Sequence, residues 1–533
     1  EEAALAAFVE RLSEEAEAVV AEAESAELLG AVQSEGATAE GRQASLRGSW
    51  HYRIGLVGKP SAGKSTLFNA LTRAGWQPGA VAAKTGAQPF TTIEPNVGLA
   101  VWAAPAGAEP AQLVLERTAT AHGRAADGRR LLPCTLIDIA GLVPGAYLGR
   151  GKGNLFLQEL CRADVLIHVV DGSGTTDKGG NLQEAPEALL ASGSGGTGVI
   201  DEIGWVRAEI HFWVFTNVRH KRPTWRRRPH RLLDMFVGYG SSPALVAGVL
   251  RRARQAAVAA AGGEDCGVRD DEYLARACGG SAAADIRGAS LDDPADVELH
   301  RLVAMYVATR WPVAVALNKM DVPSAALHEA AVRKRYPRRV VVPVSARAEL
   351  ELLRAHAQGE CEYALGGGAP TTASTPGAAA DIGKLAQALA VLDRWGSTGT
   401  LHVISRAVGL RPPTLAFPCS DIATLAPLGR EDGPPLYDCL QLKPLTTVGD
   451  LYECCKREML CAGDLVRAEL MQVGGTPSAA AVVRRDETVA SRGAIVRIQT
   501  RRASWQHKGV VNESELQVRA KQDKITGRRR QAG

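Results

Sequence analysis

An eight-residue segment of this chain has the pattern G-x-x-x-x-G-K-S, which is typical of a phosphate-binding P-loop. The apolar run at residues 54–57 before it predicts a buried strand, and residues 65–71 after it predict a helix. Backbone N–H groups of such a turn point inward, and the helix dipole favours negative charge. A chance glycine-rich turn is the alternative, but it gives no reason for the flanking strand and helix. The residues predicted to surround the phosphates are Gly58, Lys59, Pro60, Ser61, Ala62, Gly63, Lys64, Ser65 and Thr66.

The segment Asn318-Lys319-Met320-Asp321 indicates which base the nucleotide carries. It follows an apolar run at residues 313–317, so it is predicted to lie at the carboxyl end of a strand, where open α/β sheets bind ligands. The Asp321 carboxylate can accept hydrogen bonds from N1–H and the exocyclic amine of guanine, whereas adenine lacks this pair of donors. We expect Asn318 to join this loop to the P-loop and the aliphatic part of Lys319 to cover the base. An ordinary polar loop is the alternative for so short a pattern.

Further candidate residues lie around these two motifs. Lys64 is expected to reach the β- and γ-phosphates, and Ser65 and Asp138 are expected to hold magnesium, Asp138 through water. The Gly141 N–H is expected to face the γ-phosphate. Thr92 is predicted to close over magnesium when the γ-phosphate is present and to release after hydrolysis, with Thr91 as the alternative. Lys64, Thr92 and Gly141 are therefore the predicted catalytic groups.

The apolar run at residues 341–344 predicts another strand, and its following loop contains Ser345 and Ala346. We expect this loop to complete the base pocket, with the Ala346 N–H directed at guanine O6.

Leu142 occupies the position where Ras-type enzymes carry a glutamine that orients water. Leucine cannot orient water, so Leu142 is predicted to pack into the protein and hydrolysis to be slow without an activating partner.

Residues 89–98, 138–154 and 163–174 resemble the Obg-related GTPases, and in particular the archaeal-type branch of the YchF, or Obg-like, group. The resemblance covers most of residues 50–500. It implies an α/β fold, namely a P-loop NTPase of the TRAFAC type with an inserted helical subdomain and a C-terminal β-grasp TGS domain. The best-known YchF proteins carry Asn-x-x-Glu and prefer ATP, whereas Asp321 favours GTP here. Potassium-activated relatives have asparagine at the position of Ser61, so potassium activation is not expected. The related DRG family also joins a GTPase to TGS, but its switch sequences match less well.

The domain organisation follows from composition and periodicity. We expect an amphipathic helix and linker at 1–48, a G domain at 50–364 with a helical insertion at about 200–310, and a linker with helices at 365–411. A TGS-like β-grasp domain is expected at 412–500 and a basic tail at 501–533. Residues 103–130 are small, polar and loop-like and predict a disordered insertion. The alternative to a helical subdomain is a set of crossover helices with long loops.

Composition places the chain in a broad class. Its 533 residues, 46% hydrophobic and 23% charged, suit a globular protein of more than one domain, and a net charge of +4 identifies no partner. The ten cysteines contain no C-x-x-C pair, and no secretory signal or membrane span is visible. These features predict reduced thiols and a cytoplasmic location. An organellar location stays open, because the chain begins at Glu1.

Two basic segments are candidate RNA contacts. Residues 219–231 interleave Trp225 with arginines, which suits phosphate contact and base stacking; a solvated surface or a nuclear localisation signal are the alternatives. The tail at 501–533 either strengthens RNA binding or solubilises the chain.

The expected function is that of a magnesium-dependent GTPase that binds GTP and GDP and acts as a switch on the ribosome or another RNA particle. A nucleotide-gated RNA-binding scaffold with incidental hydrolysis and an ATPase of YchF type are the alternatives. Neither DNA specificity nor membrane binding is expected, and no motif identifies an exchange factor.

Overall fold

The computed structural model describes residues 2–22, 47–72, 83, 95–139, 141, 142, 145, 147, 158–177, 179–182, 197–260, 269–278, 293–372, 382–430, 432–476, 479–489 and 493–501. All structural statements below concern these residues. In this part of the chain no helix is both long and apolar enough to cross a membrane.

A six-stranded sheet forms the centre of the first structural body, with strand order β2-β3-β1-β4-β5-β6. β2 pairs antiparallel with β3, and the other neighbours are parallel. Every residue of β4 is buried, as expected for a parallel strand covered on both faces. The strands are β1 Arg53–Val57, β2 Asn96–Ala103, β3 Leu131–Asp138, β4 Val165–Asp171, β5 Val313–Asn318 and β6 Val341–Pro343.

Helices cover this sheet and connect its strands. The chain also forms a short hairpin from β7 Cys361–Glu362 and β8 Thr371–Thr372. The helices of the first half are α1 Glu2–Glu22, α2 Lys64–Leu71, α3 Ala111–Leu115, α4 Thr197–His220, α5 Arg222–Trp225, α6 Arg231–Val237 and α7 Pro243–Ala260. Those that follow are α8 Asp270–Cys278, α9 Pro294–Arg310, α10 Ala325–Arg335, α11 Ala346–Ala357, α12 Ile382–Trp395, α13 Thr400–Gly409 and α14 Val448–Arg457.

The helices α4 to α9 all lie between β4 and β5, where a minimal sheet would need only one crossover. The sequence predicted helices at residues 201–215, 243–261, 270–277 and 297–310, and these correspond to α4, α7, α8 and α9. The last of them begins at an N-cap, because the Asp293 carboxylate accepts a hydrogen bond from the Ala295 N–H at 2.9 Å. An inserted helical layer is therefore present. The N-terminal α1 packs on α9 and α4.

The prediction of a disordered insertion at residues 103–130 is wrong. This segment contains α3 and a buried charge network, in which Glu109 pairs with Arg124 at 2.5 Å and with Arg130 at 3.1 Å. The Arg130 guanidinium also donates to the backbone carbonyls of Leu436 and Tyr437. Buried ion pairing orders a segment whose composition alone predicts a loop.

The expectation that Trp225 stacks on RNA bases is also wrong. Its side chain is fully buried, and its indole N–H donates to the Val218 carbonyl at 3.0 Å. Arg219 and Arg222 form ion pairs with Asp296 of α9 at 3.1 Å and 2.6 Å. Arg219, Arg222 and Trp225 thus hold helices together, whereas His220 and Lys221 between them are exposed.

The C-terminal body is a second sheet in which the order is β10-β9-β13-β11-β12 and β9 runs parallel to β13. The sequence predicts strands at residues 414–418, 439–442, 466–470 and 494–498, which correspond to β9, β10, β11 and β13, whereas β12 was not predicted. It also predicts a helix at residues 446–459 with Thr447 in the N-cap region, and Thr447 caps α14 in a reciprocal arrangement with Asp450. The strands are β9 Thr414–Cys419, β10 Leu440–Leu442, β11 Asp464–Gln472, β12 Ala481–Val483 and β13 Ala494–Arg501. The predicted tail beyond residue 501 lies outside the described residues.

Candidate functional site

The P-loop candidate forms the turn between β1 and α2, at the carboxyl edge of the sheet. Gly58 and Gly63 have φ angles of 146° and 95°, which side chains rarely adopt. A Cβ atom at Gly58 would also clash with the Val169 carbonyl, and one at Gly63 with the Asn318 amide. Both glycines are therefore required by backbone geometry and by close approach of neighbouring strands.

Lys64 at the start of α2 directs its ammonium group back into this turn. Its Nζ donates to the carbonyls of Gly58 at 3.1 Å and Lys59 at 2.8 Å. Burial lowers the pKa of Lys64 to about 8, although the nearby carboxylates of Asp138 and Glu202 act to raise it. A cation held among carbonyls at a helix N-terminus is well suited to contact an anionic ligand.

Ser65 and Asp138 meet at the ends of α2 and β3. The Ser65 hydroxyl donates to Asp138 Oδ2 at 2.7 Å, and the Asn96 amide lies 3.4 Å from the same oxygen. Asp138 is fully buried, and its Oδ1 has no hydrogen-bond partner among the described residues. Burial raises the pKa of Asp138, while Lys64 and Ser65 lower it.

These oxygen donors suit magnesium, which prefers a carboxylate or hydroxyl together with phosphate and water oxygens. Nowhere in the described ranges do three or more His, Cys, Asp or Glu residues form a cluster that could hold a metal ion by itself. Phosphate and water oxygens would complete the coordination of a magnesium ion at Ser65 and Asp138.

The segment after β3 lies directly against the P-loop. A Cβ atom at Gly141 would be 3.0 Å from Pro60 N, and the Leu142 N–H donates to the Gly58 carbonyl at 3.0 Å. The Leu142 side chain is only 2% exposed, so it packs inward as the sequence predicted. Thr92 and its alternative Thr91 lie outside the described residues.

Asn318 at the end of β5 joins the P-loop to the loop after β6. Its Nδ2 donates to the Ala62 carbonyl at 2.9 Å, which is the connection that the sequence predicted. Its Oδ1 accepts the Ala346 N–H at 3.1 Å. The expectation that this N–H is directed at guanine O6 therefore disagrees with the geometry, because Ala346 is the first residue of α11 and its N–H is used by Asn318. The Ser345 hydroxyl donates to Asp321 Oδ1 at 2.7 Å.

Sequence reasoning did not assign a role to Asp171, which ends β4 beside this loop. Its carboxylate forms an ion pair with the Lys319 ammonium at 2.9 Å and accepts hydrogen bonds from Ser173 and Thr176. Burial acts to raise the pKa of Asp171, but Lys319 and these hydroxyls outweigh it and hold the pKa below its usual value. The signal was present, because Asp171 is an aspartate directly after a strand-like run that is apolar except for His168.

Sequence reasoning also missed Glu202 of α4. It forms an ion pair with Lys59 Nζ at 2.9 Å, and Lys59 donates to the Thr176 carbonyl at 2.8 Å as well. The Lys59 side chain thus faces the inserted helix, which leaves its backbone for the predicted contact with phosphate. No pattern along the chain could have paired residues from such distant elements.

Two models of known families match parts of this chain. Residues 53–192 match a family model described as 50S ribosome-binding GTPase. Residues 316–421 match one described as Obg-like GTPase YGR210-like, G4 motif-containing domain. The two matches contain the P-loop candidate and the Asn318 loop respectively.

Individual proteins are also similar to this chain. An uncharacterized GTP-binding protein of Schizosaccharomyces pombe is 32% identical over 420 residues, which cover 75% of this chain and 88% of the relative. An uncharacterized GTP-binding protein of Methanocaldococcus jannaschii is 32% identical over 312 residues, or 57% of this chain and 66% of the relative. The ribosome-binding ATPase YchF of Haemophilus ducreyi is 40% identical over 121 residues, or 22% and 28% of the two chains.

A crystal structure of a GTP-binding protein from Pyrococcus horikoshii OT3 aligns with a TM-score of 0.47 and 21% identity, covering 84% of this chain and 100% of that one.

The α/β sheet with its P-loop and the matched families define a P-loop GTP-binding protein. Two observations identify the family within that class. They are the similarity to the S. pombe protein, which extends over 88% of that relative, and the match of residues 316–421 to the Obg-like GTPase model. The chain belongs to the Obg-like GTPases of the Obg/YchF type.

Proposed function

We propose that this protein binds GTP with magnesium, hydrolyses it slowly, and acts as a nucleotide switch on the ribosome or another RNA particle. The observation that carries the proposal is the position of Asn318, which is hydrogen-bonded to the P-loop through Ala62 and to the α11 loop through Ala346. This network puts Asp321 at the same sheet edge as Lys64. A base bound at Asp321 could therefore belong to a nucleotide whose phosphates lie at the P-loop.

Guanine selectivity would come from Asp321. The Ser345 hydroxyl donates one hydrogen bond to Asp321 Oδ1. An ionised carboxylate has further lone pairs, which can accept hydrogen bonds from the two guanine donors. Adenine would leave these acceptors unpaired in a partly buried site, which costs binding energy. Asp321, where YchF proteins that prefer ATP have glutamate, supports placing this chain in the archaeal-type branch with Asn-Lys-x-Asp.

The phosphates would be bound by the ammonium of Lys64 and by backbone N–H groups of residues 58–66, apart from Pro60, which has no N–H. Ser65 and Asp138 would hold magnesium, with Thr92 joining them when the γ-phosphate is present. The metal ion supplies positive charge that offsets the charge of the phosphates and of the transition state. Gly141, which lies against Pro60, would donate its N–H to the γ-phosphate.

Slow hydrolysis is supported by the packing of Leu142. Its side chain is buried and apolar, and its backbone N–H is already bonded to the Gly58 carbonyl. Leu142 therefore offers no group that could orient a water molecule for attack on the γ-phosphate. Faster turnover would need a group from an activating partner.

Ribosome association is supported by similarity to the ribosome-binding ATPase YchF and to the 50S ribosome-binding GTPase family, and the C-terminal body supports it in a second way. Its strand, strand, helix and further strands, with β9 parallel to β13, suit a TGS-like β-grasp module at residues 412–500. In this proposal, release of the γ-phosphate changes how the helical insertion and this module meet RNA.

Calorimetric binding with magnesium tests the base preference. The ligands are GDP, a non-hydrolysable GTP analogue, ADP and a non-hydrolysable ATP analogue. The variants are Asp321→Glu and, as a matched control, Asp393→Glu on the exposed face of α12. We expect the wild type and the control to prefer guanine by at least about 100-fold, and Asp321→Glu to lose most of that preference. Equal or better adenine binding by the wild type would instead support the alternative of an ATPase of YchF type.

A further inference from the structure

Two carboxylates of the inserted helix α4 contact the nucleotide site. Glu202 and Glu209 are separated by seven residues, or about two helical turns, so they lie on one face of the helix. Both side chains are buried. One is bonded to the P-loop and the other to the segment that follows Gly141.

Glu202 fixes the P-loop end of this arrangement. Its ion pair with Lys59 is almost completely buried, with 2% and 5% of the two side chains exposed. Loss of one partner would leave an uncompensated charge in the interior. Because Lys59 is the second residue of the P-loop, Glu202 acts on a segment that every nucleotide must contact, whether it carries two phosphates or three.

Glu209 holds a different part of the site. Its Oε1 accepts the Gly145 N–H at 2.7 Å, and its Oε2 accepts the Tyr147 N–H at 3.2 Å. The Tyr147 ring also packs against Phe212 of α4, with ring centroids 5.4 Å apart. Gly145 and Tyr147 follow Gly141, the residue proposed to contact the γ-phosphate, within the same short segment.

We infer that Glu209 is a positioning residue that sets the preference of the site for nucleoside triphosphate over diphosphate. Charge-assisted hydrogen bonds from the N–H groups of Gly145 and Tyr147 to Glu209 fix the backbone at these two residues. Apparent affinity rises with the fraction of molecules in the competent arrangement, and only a ligand with a γ-phosphate would contact Gly141, four residues before Gly145. Glu202, by contrast, positions the P-loop for both nucleotides. This inference rests on the proposed function, because it assigns Gly141 to the γ-phosphate.

The test is calorimetric binding of GDP and a non-hydrolysable GTP analogue, both with magnesium, to the full chain. The variants are Glu209→Ala, Glu209→Gln and Glu202→Gln, and Asp201→Asn on the exposed face of the same helix is the control. We expect Glu209→Ala to weaken binding of the GTP analogue about 10-fold and to change GDP binding less than about twofold. Glu209→Gln retains one acceptor oxygen and should lose less, and Glu202→Gln should weaken both nucleotides by similar factors.

Other results would overturn the inference. If Glu209→Ala weakened both nucleotides equally, Glu209 would act only on the general structure of the site, and if neither changed, it would have no positioning role. The unfolding temperature shows that each variant is folded, and the isosteric Glu209→Gln provides the measurement if Glu209→Ala does not fold. If the wild type bound adenine nucleotides instead, the proposed base preference would fail, and the same comparison of ATP analogue with ADP would still decide the role of Glu209.

Discussion

Asn318 donates its side-chain amide to the carbonyl of Ala62 at 2.9 Å, although the two residues are 256 positions apart in the chain. The bond joins the end of β5 to the P-loop across the sheet edge. The Asn318 carbonyl oxygen accepts the Ala346 N–H, so a single side chain connects three loops from three strands. Asn318 therefore maintains the relative position of the proposed base and phosphate subsites.

We expect Asn318→Ala to weaken binding of GDP and of a GTP analogue equally, by about 10-fold or more, and to destabilise the protein by about 1–3 kcal/mol. The physical reason is that the Ala62 carbonyl and the Ala346 N–H both lose a buried partner. Calorimetry and urea unfolding measure the two effects. Gln358→Ala, which removes an exposed amide after α11, is the control and should change neither. Unchanged binding in Asn318→Ala would show that the loops hold their places without this residue.

Sequence patterns predicted those parts of the site in which chemistry and backbone geometry are local. The P-loop glycines are needed where φ is positive, and the Asn318 loop follows an apolar strand, so both could be placed from neighbouring residues. The helical insertion and the β-grasp-like strands were predictable for the same reason, because periodicity is a local property.

Contacts between distant segments could not be predicted in this way. The composition of residues 103–130 indicates a loop, and only the folded chain brings Glu109, Arg124 and Arg130 together. Trp225 looked like a stacking platform because its neighbours are basic, but Asp296 on another helix neutralises Arg219 and Arg222. In each case the charges find partners that no fixed spacing along the chain reveals.

The pKa of Lys64 predicts a pH dependence for nucleotide binding. Burial lowers it from 10.5 to about 8 in the free protein, and bound phosphate would favour the charged form. Below pH 8 the ammonium is present before binding, whereas above it binding must take up a proton. We therefore expect affinity for GDP to fall by up to about tenfold per pH unit above pH 8, with proton uptake detected by calorimetry in buffers of different ionisation enthalpy.

The matched control for this prediction is Lys64→Arg, whose guanidinium stays charged throughout the range. Ionisation of guanine itself at high pH affects both proteins alike, so the difference between their pH profiles reports Lys64. The lowered pKa of Lys64 affects folding stability in the opposite direction to nucleotide affinity. As pH rises from about 8 towards 10.5, the folded protein loses this buried charge while the unfolded chain keeps it, so the free energy of unfolding increases over this range. Parallel pH profiles for the two proteins would contradict the role given to Lys64.

The packing of Leu142 predicts that a glutamine at this position does not restore Ras-like hydrolysis. Because the side chain is directed into the core, Leu142→Gln would bury an amide and cost about 1–3 kcal/mol of stability without bringing a donor to the γ-phosphate. Single-turnover GTP hydrolysis and thermal unfolding measure the outcome. Leu327→Gln is the control, since Leu327 on α10 is 59% exposed. An increase in hydrolysis of tenfold or more in Leu142→Gln would mean that this side chain can turn towards the nucleotide.

The buried network around Glu109 predicts that one carboxylate stabilises the junction between the two sheets. Glu109→Gln would leave the guanidinium groups of Arg124 and Arg130 without a counter-charge, and we expect a loss of about 3–5 kcal/mol. Arg130 also donates to the carbonyls of Leu436 and Tyr437 in the C-terminal body. We therefore expect Glu109→Gln to lower the urea concentration at which unfolding begins and to make the C-terminal body more accessible to protease. Asp127→Asn removes a solvent-exposed partner of Arg129 and should cost at most about 1 kcal/mol. Equal effects of the two variants would show that the charge of Glu109 is not what holds the segment, because burial is the main difference between the two ion pairs.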